Sequence, residues 1–222
     1  MVDGSDEGAP PLPGVGDGGG NGASHSAGVV DGLSPAQVAS RLGAYHRRRD
    51  YQRIAPLIAI DGREATIAFL QAVDKVVDAN ARLRQVAKQR LGRLASDAWD
   101  LSALKNNLGI FSDRTRLIDQ TFKGTAAVVT LQEAENVPLV RAKFKWTQGG
   151  WKYWAVAPPR AMVPALERLA DILADTTASL QQGAGVEDYV RAFVERVWPQ
   201  MNRVMAARVA GEQRVSIAAP AP

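Results

Sequence analysis

The stretch Val140-Arg141-Ala142-Lys143-Phe144-Lys145-Trp146-Thr147-Gln148-Gly149-Gly150-Trp151-Lys152-Tyr153-Trp154-Ala155-Val156 decides the fold class. Large and charged residues alternate with period two on both sides of a Gly-Gly signal, the sequence form of a β-hairpin. With a two-residue turn at Gln148-Gly149, Trp146 lies opposite Trp151, Phe144 opposite Tyr153 and Ala142 opposite Ala155. One face is then wholly apolar or aromatic and reads as core. The other carries Arg141, Lys143, Lys145 and Lys152, with Trp154 and Val156 among them. A turn at Gly149-Gly150 changes the partners and keeps both faces. A one-residue slip moves lysines into the aromatic face, so burial fixes the parity. Lys145 opposite Lys152 is unfavourable. Either both stems lie flat and the ammonium groups reach water, or this face is a weak ligand or anion site built from Arg141, Lys143, Lys145, Lys152 and Trp154.

Working outward, Arg116–Phe122 and Thr125–Leu131 read as strands separated by Lys123-Gly124. Glu133-Ala134-Glu135-Asn136 reads as the turn into the hairpin, and Pro138 is tolerable at a strand start. Helical periodicity brackets this block. Ser34, Pro35 and Gln37 form a capped start, and Val38, Leu42 and Tyr45 make its stripe. Pro56 limits the next segment to a short helix or turn. Asp61-Gly62 opens a long helix to about Leu91-Gly92, with Phe69, Val73, Val76, Leu83, Ala87, Leu91 and Leu94 as its apolar stripe. Asn80 interrupts that stripe, and Asp74 and Asp78 fall on other faces. A short helix is expected around Trp99, Leu101 and Leu104, ending near Asn106-Asn107. After Pro158-Pro159 two helical stripes follow, broken at Gly183-Ala184-Gly185 and bent by Pro199. The expected architecture is α+β: N-terminal helices on a curved antiparallel sheet over 33–157, with a helical hairpin over 158–210 packed on it. Residues 211–222 read as a loose tail.

Residues 1–32 hold ten glycines, five acids and no Lys or Arg. They bury too little apolar surface to offset ordering entropy and read as a disordered acidic tail, compatible with a tether. The remainder holds twenty-seven basic and eighteen acidic residues, a balance of +9. There is no cysteine, which excludes disulfides and thiolate chemistry. No apolar run is long enough to span a bilayer, and the first residues lack the pattern of an export signal. The expected location is cytoplasmic, or exported and envelope-tethered where a signal has been removed.

Chemistry is sparse. Only His25 and His46 exist, neither with a second ligand at metal spacing, so no metal or cofactor is expected. An isomerase-type site requires a carboxylate base and a hydroxyl or neutral acid in an apolar pocket. Tyr45, Asp100, Asp119 and Tyr153 are the candidates, with Asp119 and Tyr153 foremost. The basic hairpin face with Trp154, and Arg191, Arg196, Arg203 and Arg208, raise nucleic-acid binding. The interleaved acids weigh against it.

Three short motifs resemble the nuclear transport factor 2-like superfamily. They are Tyr45-His46-Arg47-Arg48-Arg49-Asp50-Tyr51 before the Ile54/Leu57/Ile58 cluster, the strand around Gly124-Thr125-Ala126-Ala127-Val128-Val129, and Gly149-Gly150-Trp151-Lys152. The resemblance implies a cone-shaped α+β domain, often with a pocket and often dimeric. Its members include isomerases, cyclases, dehydratases and exported bacterial domains. The long helix 62–92 and the helices after 160 depart from the simplest pattern. The leading expectation is a non-catalytic domain binding a protein or small ligand, with self-association through the C-terminal helices or the open sheet face. A small-molecule isomerase, cyclase or dehydratase is the alternative, and polyanion binding the third.

Overall fold

The computed structural model describes residues 32–101, 104, 108–112, 115–132, 139–155, 158 and 161–217, with side chains to 207. The tail before Gly32, the helix end at Asn106-Asn107 and the turn at Glu133–Asn136 lie outside the described residues. Within them the chain is α+β, built of helices and one four-stranded antiparallel sheet.

Helix α1, Pro35–Arg47, starts as its capping box dictates. The Gln37 amide donates to Ser34 Oγ (3.2 Å), and the Ser34 amide to Gln37 Oε1 (2.8 Å). The chain reverses through Arg49, which takes φ +56°, a left-handed conformation costing roughly 1–2 kcal/mol outside glycine. Asp50 then caps α2, Tyr51–Ile54, by accepting from the Arg53 amide (3.1 Å). Two 3-10 turns lead into α3, Arg63–Leu91, which ends where Gly92 adopts φ +95°. A short α4, Arg93–Asp97, follows. Leu94 was expected on the α3 stripe and is instead 90% exposed, because the break at Gly92 starts a new helix direction.

The strands β1 (Arg116–Lys123), β2 (Ala126–Gln132), β3 (Val140–Thr147) and β4 (Gly150–Tyr153) form a simple meander. In the hairpin Trp146 pairs with Trp151, Lys145 with Lys152 and Phe144 with Tyr153, the first of the two expected registers. One sheet face meets α1, α2 and the segment around Phe111. There Val38, Leu42, Ile54, Ile58, Leu70, Val129 and Phe144 are fully buried. Gly43 makes this contact possible: a Cβ there would lie 2.9 Å from the Ser112 carbonyl. The β4 edge is closed by Ile58, bridged in parallel to Tyr153, and by the Ala59 amide donating to the Tyr153 carbonyl (2.9 Å).

A second core lies on the other side of α3. It joins Val73, Val76, Leu83 and Ala87 to α5 (Met162–Gln181), α6 (Val186–Ala192) and α7 (Trp198–Ile217). The C-terminal helices thus pack on α3, and α7 continues past Gly211. A π-helical turn, Phe193–Val197, joins α6 to α7. Pro199 explains it, since proline has no N–H to donate to the Glu195 carbonyl and its ring crowds that group. Asn80 interrupts the apolar stripe because it has a structural task. Its side chain donates to the Trp99 carbonyl (2.7 Å) and accepts from the Leu101 amide (3.1 Å). Trp99 in turn stacks on Tyr189 at 4.2 Å and 9°, and the Tyr189 hydroxyl donates to the Ala95 carbonyl (3.0 Å).

Burial pushes the Tyr189 phenol up to about 12. The unfolded chain gives up this proton near pH ~10, so between there and 12 the folded state holds more protons than the unfolded one. Stability from this group is therefore full below pH ~10 and lost as pH rises through the folded value. The melting temperature should fall over that window, and Tyr189→Phe should flatten the fall when thermal melts are followed by circular dichroism.

Candidate functional site

Three places collect side chains with chemical potential: a buried polar cluster under α1, the open sheet face, and the exposed β1 edge. The buried cluster grows from Asp74, on α3 one turn after Leu70. It is 4% exposed. The Tyr51 hydroxyl donates to Asp74 Oδ2 (2.5 Å), His46 Nε2 lies 3.3 Å from the same oxygen, and Arg49 Nε approaches to 3.7 Å. His46 Nδ1 donates to the Phe111 carbonyl (3.1 Å), and the Arg49 guanidinium forks onto Asp78 at 2.5 and 2.6 Å. Burial, then the hydrogen bond to Asp74, raises the Tyr51 phenol well above its ordinary value. The bond to Asp78 likewise raises Arg49. A histidine, a carboxylate and a tyrosine in contact is a set that enzymes use for proton transfer. Here His46 and Asp74 are both inside the protein, and neither lines a described cavity. Their geometry serves to hold α1 and α2 on α3. Asp74 was expected on another face. The signal for its burial was its place four residues after Leu70, in line with the core stripe.

The open face of the sheet carries Arg141, Lys143, Lys145 and Lys152, as the hairpin parity requires. Arg141 and Lys143 are exposed. Lys145 is not a free cation. Its Nζ sits 3.0–3.1 Å from both Asp61 oxygens and 5.3 Å over the Trp154 ring. The Lys145 hydrogen bond draws the Asp61 carboxyl below its usual range. Asp61 thus offsets the repulsion between Lys145 and Lys152, which nothing in the hairpin sequence itself showed. The candidate acid Asp119 pairs in register with Thr130 and faces this open side. Tyr153 faces the other side, against Phe111 and Phe144 (both 5.7 Å), and burial raises its phenol. The sheet therefore separates Asp119 from Tyr153. The other two candidates are also placed apart: Tyr45 lies under the Arg53 guanidinium (5.8 Å) and Asp100 pairs with Arg84 (3.0 Å).

The aromatic hairpin face divides into two parts. Phe144 is fully buried, but Trp146 is 40% exposed, a departure from its expected place in the core. It packs edge-on against Trp151 (5.5 Å), which meets Phe122 of β1 (5.7 Å). The three rings, with Phe122 and Trp146 partly exposed, form an aromatic ledge at the tip of the sheet. The ledge continues into β1, an edge strand with Leu117, Ile118 and Phe122 all about half exposed. A register shift between Leu117 and Asp119 marks a bulge near its start.

Two described cavities flank these elements. One of about 190 Å³ lies between α5 and α6 beside Thr176, Leu180, Tyr189 and Arg196. One of about 150 Å³ lies beside α1, lined by Gly43, Arg47, Ile110 and Leu117. Pockets for drug-sized ligands generally span about 300–1,000 Å³. Among the described residues, no three metal-ligating side chains come together, and no helix is long and apolar enough to cross a membrane. No protein-family model matches the chain, and neither does any curated protein or solved structure with which it was compared.

Two outcomes follow. Asp74→Ala removes the acceptor of Tyr51 and the partner of His46 inside the core, and should cost about 3 kcal/mol or more in urea unfolding. The same change in a Tyr51→Phe background should cost less. Asp61→Asn removes an exposed pair and should cost under about 1 kcal/mol, while heparin-column retention lengthens because Lys145 is released.

Proposed function

We propose that this chain is a non-catalytic binding module for a protein partner, whose extended segment adds as a strand along β1 and seats a side chain on the aromatic ledge. The observation that carries this reading is the edge strand itself. An eight-residue edge with three half-exposed apolar side chains is a surface that stable proteins ordinarily blunt or cover. Strand addition uses the backbone groups of such an edge for affinity and alternate side chains for specificity. The opposite edge, β4, is already closed by Ile58. The separation of Asp119 from Tyr153 and the modest cavities support the non-catalytic part. Order along the chain, helices before a meander, supports keeping the nuclear transport factor 2-like resemblance within the proposal.

Polyanion binding by Arg141, Lys143 and Lys152 is a second reading. The open basic face favours it. The arginines of the C-terminal helices add little, since Arg191 and Arg196 are paired with Asp188 and Asp175.

Short random peptides displayed on phage and selected on the immobilised full chain should converge on extended sequences with alternating apolar residues. Binding of a selected peptide should weaken at least about tenfold, or ~1.4 kcal/mol, in Leu117→Lys or Phe122→Ala. It should survive Lys143→Ala. A selected peptide that tolerates both edge variants but is lost with Lys143→Ala would overturn the edge reading in favour of the basic face.

A further inference from the structure

The hydrogen bonds of β2 alternate between its two neighbours. The Trp146 amide donates to the Thr125 carbonyl (2.7 Å), so the odd-numbered residues of β2 bond β3 and the even-numbered ones, Ala126, Val128 and Thr130, bond β1. Their β1 partners are Lys123, Thr121 and Asp119. The backbone amides and carbonyls of Gln120 and Phe122 therefore point away from β2, at the open edge of the sheet. From Asp119 to Lys123 the register runs without a shift, and the irregularity lies before it, between Leu117 and Asp119. Thr121 is the centre of this regular edge. Asp119, Thr121 and Lys123 share the open side of the sheet, and all three are exposed. Among the described residues neither Asp119 nor Lys123 enters an ion pair.

We infer that the strand added along β1 is β1 of a second copy of this chain, antiparallel about a two-fold axis through Thr121. The inference rests on the strand-addition reading and names its partner. A two-fold contact must be self-complementary, and this edge is. Pairing 119–123 with itself sets Gln120 of each copy opposite Phe122 of the other, and these are the residues whose backbone groups are open to bond. Thr121 meets Thr121 on the axis, a favourable cross-strand pair. Asp119 of each copy lies directly opposite Lys123 of the other, so two ion pairs form, both at the closer, non-hydrogen-bonded kind of position. On the other face the two Phe122 rings become diagonal neighbours about 7–8 Å apart, within reach of each other, and the two aromatic ledges join. A slide of two residues sets Lys123 opposite Thr121, or against the irregular step between Leu117 and Asp119, and loses both ion pairs. Lys123 also ends a row of cations that crosses the sheet through Ala126 to Lys145 and Lys152. Asp61 balances that row at Lys145, and Asp119 of the second copy balances it at Lys123. An unrelated strand would cover Asp119 and Lys123 without matching them, which is how edge charges ordinarily deter pairing.

The chain has no cysteine, so a single thiol reports on one position. Thr121→Cys sets two thiols face to face on the axis, at a separation that a disulfide spans. Mild oxidation of the full chain at about 100 μM should convert most of this variant to a covalent dimer, while Lys123→Cys and Lys143→Cys cross-link roughly tenfold more slowly. Sedimentation equilibrium should find the wild type dimeric at that concentration. Asp119→Lys and Lys123→Asp should each weaken the dimer by roughly tenfold, since the two-fold axis counts each change twice. Mixed in equal amounts, these two variants should pair with each other at wild-type strength, because both ion pairs are then re-formed. All four positions are exposed, so circular dichroism should not change. Equal cross-linking at 121 and 123 overturns the inference, as do charge variants that fail to complement each other. A monomeric wild type whose β1 edge still binds a selected peptide also overturns it and leaves the strand-addition reading standing. If neither a peptide nor a second copy binds the edge, both fall.

Discussion

A carboxylate with 4% of its surface exposed imposes the strongest single condition on this structure. Asp74 cannot be desolvated without compensation. The compensation comes from His46 at the end of α1, Tyr51 in α2 and the guanidinium of Arg49 between them. Those three groups are brought to one point only if the chain reverses sharply after α1. Arg49 accepts a left-handed backbone to do so, and its bonds to Asp78 hold it there. Helix α3 is thereby fixed in rotation. With Asp74 turned toward α1 and α2, Asn80 faces Trp99 and Leu101, and the remaining apolar side of the helix is presented to α5. Both hydrophobic clusters therefore depend on the orientation of one helix that belongs to each of them.

The sheet answers a different requirement. Its buried face needs side chains in one parity, and β2 provides it with Ala127, Val129 and Leu131 inward. The opposite parity then gathers basic residues in rows, which is electrostatically costly. Asp61 relieves the worst contact from outside the sheet, and it can do so because the turn before α3 is pinned at Gly62. A Cβ there would lie 3.0 Å from the Ala155 carbonyl, so glycine lets the turn approach the hairpin closely enough for the carboxylate to reach Lys145. The open basic face and the packed aromatic face are two consequences of one register.

Local rules made much of this readable. The Ser34 cap, the break at Gly92, the hairpin register and the order of strands each follow from chemistry within a few residues. Three features required partners distant in sequence. Asp74 looks like a surface acid until His46 and Tyr51 are set beside it. Asp61 and Lys145 are eighty-four residues apart. Trp146 reads as core by alternation, but alternation gives only the face and not how much of that face other elements cover. The outermost place of β1 is hidden for a related reason: period two places each side chain up or down and carries no information about which strand lies at the edge.

The π turn before Pro199 has a meaning beyond local geometry. It is equivalent to one residue too many in an otherwise regular helix, so it sets the angular phase at which α7 leaves α6 and presents Gln200 and Val204 to the core. Changing Pro199 to a residue that permits regular α-turns would remove the reason for the extra residue. Helix α7 would then leave α6 at a different rotation, and Gln200 and Val204 would turn away from the places in the core that they now fill. A single proline thus acts as the keyway that fixes at what angle the last shaft of the fold is seated.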